Sequence, residues 1–340
     1  MNLPTAQTPP IDSRTRMAEF VRTVGRGPGR ARALTREETR EAFSIILDGD
    51  ADPHQVGALL MLLRYRGEGI PEMAGLVEAI RAHAGLDQPA PTDIALDWPS
   101  YGSGKTRGAP WFLLAALALA ANGHKLVMHG SNEFSGGIPV EAALHALGRP
   151  IATSLAMARD HLSFGNFTYL PLAAISPQAD RLLSLRRVLG LRSPVNTAGR
   201  LLNPFNARAS VDGVFHPPYI DLHRGAAAAL DRSRLAVIKG AGGEAERNPA
   251  KPVTAHIWDR TDGMSEIALP AISTAAPLEE TKRLGLDAFA AVWQGRLHDQ
   301  GALATILGTL EFALLAIKRA DDIDTTAALA RDLWGNRHRG

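Results

Sequence analysis

The chain has 340 residues, 45% hydrophobic and 21% charged, which is the composition of a soluble globular protein with room for one large domain or two ordinary ones. It contains no cysteine, so disulfides, zinc–thiolate centres and thiol catalysis are excluded, in keeping with a reducing cytoplasm. The net charge is only +2, and the most apolar stretch, "WFLLAALALAA", is far shorter than the roughly 20 residues of a membrane span.

The start, "MNLPTAQTPPIDSRTR", has no apolar core of signal-peptide length, so a cytoplasmic location without membrane partners is expected. Residues 1–13 are Pro-rich and are expected to be disordered. After the Gly/Arg-rich turn "GRGPGRAR", three helices are punctuated by their own sequence. Thr35 and Glu38 form a capping box, and that helix stops at Gly49. Asp52 caps the next, with Pro53 at its first position and Gly67 at its end. Pro71 starts the third, which stops at Gly85, and "LDQPAPT" reads as a linker. Residues 14–85 are therefore expected to form a small helical domain.

From residue 93 the pattern alternates. Short apolar runs, "IALDW", "KLVMHG", "VDGVF", "LAVIKG" and "TAHIWD", are separated by helical stretches. This spacing predicts a large α/β domain over 93–335, with a mostly parallel central sheet and flanking helices. Helices near 285–297, 299–319 and 322–334 close the chain.

Charge is segregated. Residues 181–211 carry six arginines and no acid, and residues 98–132 carry Lys105, Arg107 and Lys125 with no acid. On one ideal helix Arg181 and Arg192 would share a face, with Arg186 and Arg187 turned well away from it. Only a subset of these can then face any one groove. Lys105 and Arg107 follow a glycine turn and precede a helix beginning near Pro110, whose free amides favour anions.

The segment "VIKGAGGEAERNP" ends an apolar run in Gly240, Gly242 and Gly243, followed by Glu244 and Glu246. Three readings stay open for it: a tight turn with a solvated acid, an anion pocket, or a magnesium site that uses Glu244. His129 is expected to order a strand-end turn.

The helical stretch "TREETREAFSIILDGDADPHQVGALLMLLRYRGEGIPEMAGLVEAIRAHA" resembles the N-terminal domain of the anthranilate phosphoribosyltransferase and nucleoside phosphorylase superfamily, glycosyl transferase family 3. "KLVMHGSNEFSGGIPVEAALHALG", "LRRVLGLRSPVNTAGRLLNPFNA" and "LAVIKGAGGEAERNP" extend the resemblance in order over about residues 20–335. It implies a homodimer formed through the helices, with the small domain completed by helices within 155–193. It also implies phosphate-binding positions at Gly102, Gly104, His129, Gly130, Ser131, Asn132, Gly242 and Gly243. One of Arg186 and Arg187 would point into the cleft.

The departures fall on the chemistry. Where the transferases carry a glycine turn ending in Asp, this chain reads "SYGSGKTRGAP", with Lys105 near the expected acid. "GAPW" stands where the Asn-Ile-Ser-Thr helix start is expected, Met128 replaces a lysine, and Gly243-Glu244 replaces the Asp-Glu metal pair. "RYRGEG", "PSY", "VMHG" and "GEAERNP" are similar instead to the YbiB-type branch, regarded as nucleic-acid-binding. The expected function is thus sequence-independent binding of DNA, single- or double-stranded, or RNA, by a dimer. Lys105, Arg107, Arg186, Arg187, Arg192 and Arg200 would contact phosphates, with no cofactor and no catalytic residue. The alternative is a phosphoribosyl transferase using phosphoribosyl pyrophosphate and Mg²⁺ on an unidentified acceptor, and a third reading is a catalytically silent scaffold.

Overall fold

A computed structural model of the chain describes residues 12–27, 29–87, 93–102, 108–131, 133–134, 136–276, 278, 285–319 and 322–337. The bundle consists of α1 (Ser13–Gly25), α2 (Arg36–Asp48), α3 (Pro53–Arg66) and α4 (Ile70–His83). The capping box at Thr35 forms as expected: its hydroxyl accepts from the Glu38 amide at 3.1 Å, while the Thr35 amide donates to Glu38 at 2.9 Å. Gly49 ends α2 in the left-handed region at φ 88°, and Asp52 caps α3 through the His54 amide at 2.9 Å. The first helix was not among those expected. Asp12 caps it, and Met17, Phe20 and Val24, spaced by three and four residues, bury its inner face. The expectation of disorder for residues 1–11 lies outside the described residues.

The α/β domain runs β1 (Leu96–Ser100), α5 (Trp111–Ala121), β2 (Leu126–Gly130), α6 (Val140–Ala146), α7 (Leu155–Phe164) and β3 (Phe167–Pro171). Next come α8 (Leu172–Ile175), α9 (Pro177–Ser184), α10 (Arg186–Leu189), α11 (Val195–Arg200), β4 (Ala209–Val214), α12 (Tyr219–Ala229) and β5 (Arg234–Lys239). A hairpin of β6 (Val253–Asp259) and β7 (Gly263–Leu269) precedes α13 (Leu286–Trp293), α14 (Gln300–Ala316) and α15 (Ile323–Asn336).

The strands form one sheet in the order β3-β2-β1-β4-β5-β6-β7. From β3 to β5 it is parallel, with Trp98 opposite Met128 and Val211 opposite Ala236, and β6 and β7 continue it antiparallel. Strands β3 and β7 are additions to the five expected runs. β7 has a largely exposed face and so lacks a strong apolar signal, whereas β3, "FTYLP", is apolar and buried at its centre. The chain leaves β1 outward to β2 and β3, then returns to β4 on the other side. The crevice beyond the carboxyl ends of β1 and β4 is therefore a topological switch point, where open α/β sheets place ligands.

Apolar α5, whose residues 111–120 are all buried, packs with α14 and α15 in a core that takes in Leu96, Trp98 and Met128 of the sheet. A second core joins α1–α4 to Ala158, Leu172, Leu182 and Val195. Arg36 donates to the Ala229 carbonyl at 2.8 Å and Arg81 to the Asn203 carbonyl at 2.9 Å, so buried and half-buried guanidiniums lock the bundle onto the larger domain. No helix among the described residues is long and apolar enough to cross a membrane.

Candidate functional site

The turn after β5 is built by close approach of backbone to backbone. A Cβ on Gly240 would lie 1.7 Å from the Glu244 carbonyl oxygen, and one on Gly213 would lie 2.0 Å from the same atom. Four amides of this turn are taken up by backbone carbonyls. Gly240 donates to Val214, Ala241 to Glu246, Gly243 to Gly240 and Glu244 to Ala241, all through backbone carbonyls at 2.9–3.3 Å. The expected phosphate cradle at Gly242 and Gly243 is thus a self-bonded 3-10 turn, with left-handed φ of 63° and 83° at the two glycines.

Glu244 is buried, and its carboxylate lies so near Gly102 that a Cβ there would meet Oε1 at 2.0 Å. Among the described residues no group of three acids or histidines could hold a metal. Mg²⁺ held together with a phosphate draws on one or two carboxylates, and both acids of this motif, Glu244 and Glu246, are buried. Replacing Gly243 by Asp is accordingly expected to restore no Mg²⁺-dependent activity, while the left-handed backbone costs about 1 kcal/mol. A thermal melt together with a transfer assay checks both parts.

The second acid of the motif has a defined task. Glu246 is buried, and its Oε2 accepts a hydrogen bond from the Phe112 amide at 3.0 Å, in the first turn of α5. The positive end of that helix is therefore neutralised by the chain's own carboxylate. Sequence reasoning saw Glu246 but could not place it, because its partner lies 134 positions away.

The strand-end residues face inward. His129 is fully buried, its Nδ1 3.2 Å from the Tyr101 hydroxyl and its Nε2 3.2 Å from Asp97 Oδ1, the latter without hydrogen-bond alignment. These contacts hold the ring between β1 and the residue that follows it. Gly130 is required by crowding, since a Cβ would sit 1.7 Å from the Ser100 carbonyl oxygen, and that oxygen accepts from the Ser131 amide at 3.1 Å. Lys105, Arg107, Gly104 and Asn132 lie outside the described residues.

The arginines separate into distinct environments. The helix expected through 181–192 breaks: α9 ends at Ser184, and Gly190, at φ 72°, closes α10, so Arg192 lies on neither helix. Exposed Arg187 pairs with Glu133 at 2.6 Å. The Arg186 guanidinium sits 4.6 Å over the Phe134 ring, with one terminal nitrogen buried and without a partner. Arg200 is buried and fully engaged, donating to Gly243 O at 2.6 Å, Gly213 O at 2.8 Å, Tyr101 O at 3.1 Å and Asp212 at 3.3 Å. It braces the 240–244 turn from within, so the expected phosphate contact at this position is a structural clamp. Asp212 also receives His223 Nδ1 at 2.5 Å. Burial pushes the Asp212 carboxyl up, but His223 and Arg200 outweigh it and hold the pKa below the usual value. Arg64, His223 and Asp212 escaped the sequence reading; only "RYRGEG" hinted at the first.

The helical bundle domain of a glycosyl transferase family matches residues 18–84, and that family's a/b domain matches residues 112–334. The chain belongs to this glycosyl transferase family. Within it, the chain is 29% identical over 250 residues to the uncharacterized protein YbiB of Escherichia coli (strain K12), covering 72% of this chain and 77% of the relative. It is 31% identical over 323 residues to the anthranilate phosphoribosyltransferase of Rhizobium meliloti (strain 1021), covering 88% and 89%. Among solved structures, anthranilate phosphoribosyltransferase (TrpD) from Thermus thermophilus superposes with a TM-score of 0.77 at 22% identity, over 96% of this chain and 95% of that one. The Saccharomyces cerevisiae enzyme in complex with PRPP and Mg gives 0.73 at 16% identity, over 94% of each chain. These likenesses establish the transferase-like fold and the similarity to the YbiB-type branch.

Proposed function

We propose that the chain is a nucleic-acid-binding member of the family that works as a dimer, recognises phosphates without reading base sequence, and has given up phosphoribosyl transfer. The observation that carries the loss of transfer is the Glu246 carboxylate hydrogen-bonded to the Phe112 amide. A pyrophosphate approaching the start of α5 meets an anion already in place, and two anions at one helix end repel. The self-bonded glycine turn and the basic "GKTRG" segment in place of an acid-ended loop support the same reading. Exposed Tyr65, Val188 and Leu191 offer apolar surface for a second copy on the side of α3 and α10.

The second reading, an Mg²⁺-dependent transferase, is favoured by the relatives' names and by the PRPP and Mg complex of the yeast neighbour. Calorimetry with phosphoribosyl pyrophosphate and Mg²⁺ separates the two, alongside titration of labelled DNA of mixed sequence and light scattering of the same sample. DNA binding by a dimer without pyrophosphate heat is expected. Turnover of anthranilate in the usual enzyme range of about 1–10³ s⁻¹ would remove the first reading. A monomer at micromolar concentration would remove its dimer.

A further inference from the structure

Where the helical bundle meets the carboxyl edge of the sheet, a cavity of about 260 Å³ opens beside the 240–244 turn. Its wall combines Arg64 at the end of α3, Arg192 and Ser193 after α10, His216 before α12, and His223 within α12.

The cavity is built with more positive than negative charge. Arg192 is half-buried, and burial together with the like charges of Arg186, Arg200 and Arg64 holds its guanidinium below the usual arginine range. No carboxylate among the described residues forms an ion pair with Arg64 or Arg192; Arg64 donates instead to the Tyr219 hydroxyl. The acid in the wall is Glu68, and burial raises its pKa, which favours the neutral form and weakens its competition for the arginines. Ser193 is 7% exposed, and its hydroxyl is buried without a partner. A buried hydroxyl in that condition is costly unless a ligand supplies the missing hydrogen bond. His223 has Nδ1 engaged by Asp212, which fixes the ring and leaves Nε2 as its remaining polar atom.

We propose that this cavity is a binding site for a phosphate monoester. Guanidiniums from two different elements, a hydroxyl and an imidazole can surround a tetrahedral dianion, whereas a planar carboxylate is satisfied by a single guanidinium fork. The space exceeds what one phosphate fills, and exposed Phe215 with half-buried Tyr219 gives the remainder of the ligand an apolar wall. The site shares Arg192 with the expected phosphate contacts, but its test does not depend on nucleic-acid binding, because its ligand can be a free small molecule or the phosphorylated end of a strand.

The test titrates the full chain with phenyl phosphate and, as a control, benzoate. Phenyl phosphate is expected to bind and benzoate to bind at least about tenfold more weakly. Arg192→Ala and Arg64→Ala should each weaken phenyl phosphate binding by about tenfold or more, with the far-ultraviolet circular dichroism unchanged. Arg192→Lys, which keeps the charge, and Ser193→Ala, which removes only the hydroxyl, should each lower affinity less and serve if an alanine variant fails to fold. Competition by an oligonucleotide bearing a 5′-phosphate, but not by its unphosphorylated twin, assigns the site to strand ends. Displacement by neither assigns it to a small phosphomonoester, and either result supports the site. Absence of phenyl phosphate binding, equal binding of benzoate, or affinity unchanged in every folded variant overturns the proposal whatever the fate of DNA binding.

Discussion

Arg247→Ala is expected to remove about 3–5 kcal/mol of stability, the range for breaking a buried ion pair, seen as a fall in Tm of about 4–7 °C for a chain of this length. Arg247 stands in the "GEAERNP" stretch that reads as chemistry, yet it is fully buried and its guanidinium donates to Glu311 and to the Pro270 carbonyl. Its backbone amide donates to Thr309 Oγ1 at 3.1 Å, so this one residue ties the segment after β5 to α14 and to the end of β7. Truncation leaves the Glu311 carboxylate, 6% exposed, without its counter-ion. Burial already raises the Glu311 pKa, and Arg247 is what opposes that rise. A carboxyl group whose folded-state pKa is raised costs nothing when protonated and destabilises above its unfolded value, which is 4.5. The deficit of the variant should therefore shrink as pH falls toward that value. Arg247→Met with Glu311→Leu should recover most of the loss, since no buried charge remains. Equal losses in the single and double variants would show that packing of the arginine stem, not the ion pair, carries the effect.

The parts of this fold that were legible in the sequence are those specified locally. Thr35 with Glu38, Asp52 with Pro53, and Gly49 act within a few residues of themselves, so each helix end can be read where it stands. The same holds for the break at Gly190, whose glycine was visible in "VLGLRS" although the arginine spacing invited one continuous helix. What was not legible depends on distant pairing. Arg200 reads as a free cation until Tyr101, Asp212 and Gly243 close around it. Glu246 reads as a spare acid until α5 presents the Phe112 amide to it. The glycines of the 240–244 turn leave a tight turn, an anion pocket and a magnesium site all open, because glycine signals close backbone approach without naming what approaches. Here it is Glu244's own main chain.

Binding to nucleic acid is expected to fail with salt in a graded, sequence-blind way. On single strands each neutralised phosphate contributes about −0.7 to the slope of log affinity against log salt, so a dimer making several contacts per subunit should show about −4 or steeper. Between 50 and 200 mM salt, affinity then falls by about two orders of magnitude or more. The arginines should contribute unequally, and their surroundings give the order. Arg187 is exposed but shares its charge with Glu133, and Arg186 lies over Phe134 with one nitrogen unpartnered, so Arg186→Ala should flatten the slope more than Arg187→Ala. Arg200→Ala should lower Tm and leave the slope nearly unchanged, because that guanidinium is spent inside the fold. Lys105→Ala with Arg107→Ala should weaken every sequence alike and reduce the slope by about one phosphate equivalent or more. The measurement is fluorescence anisotropy on mixed and homopolymeric strands over a salt series. If the Lys105/Arg107 and Arg186/Arg187 double variants both keep the parent affinity and slope, phosphates are not what these residues bind. A strong preference for one base sequence would instead mean contacts to base edges.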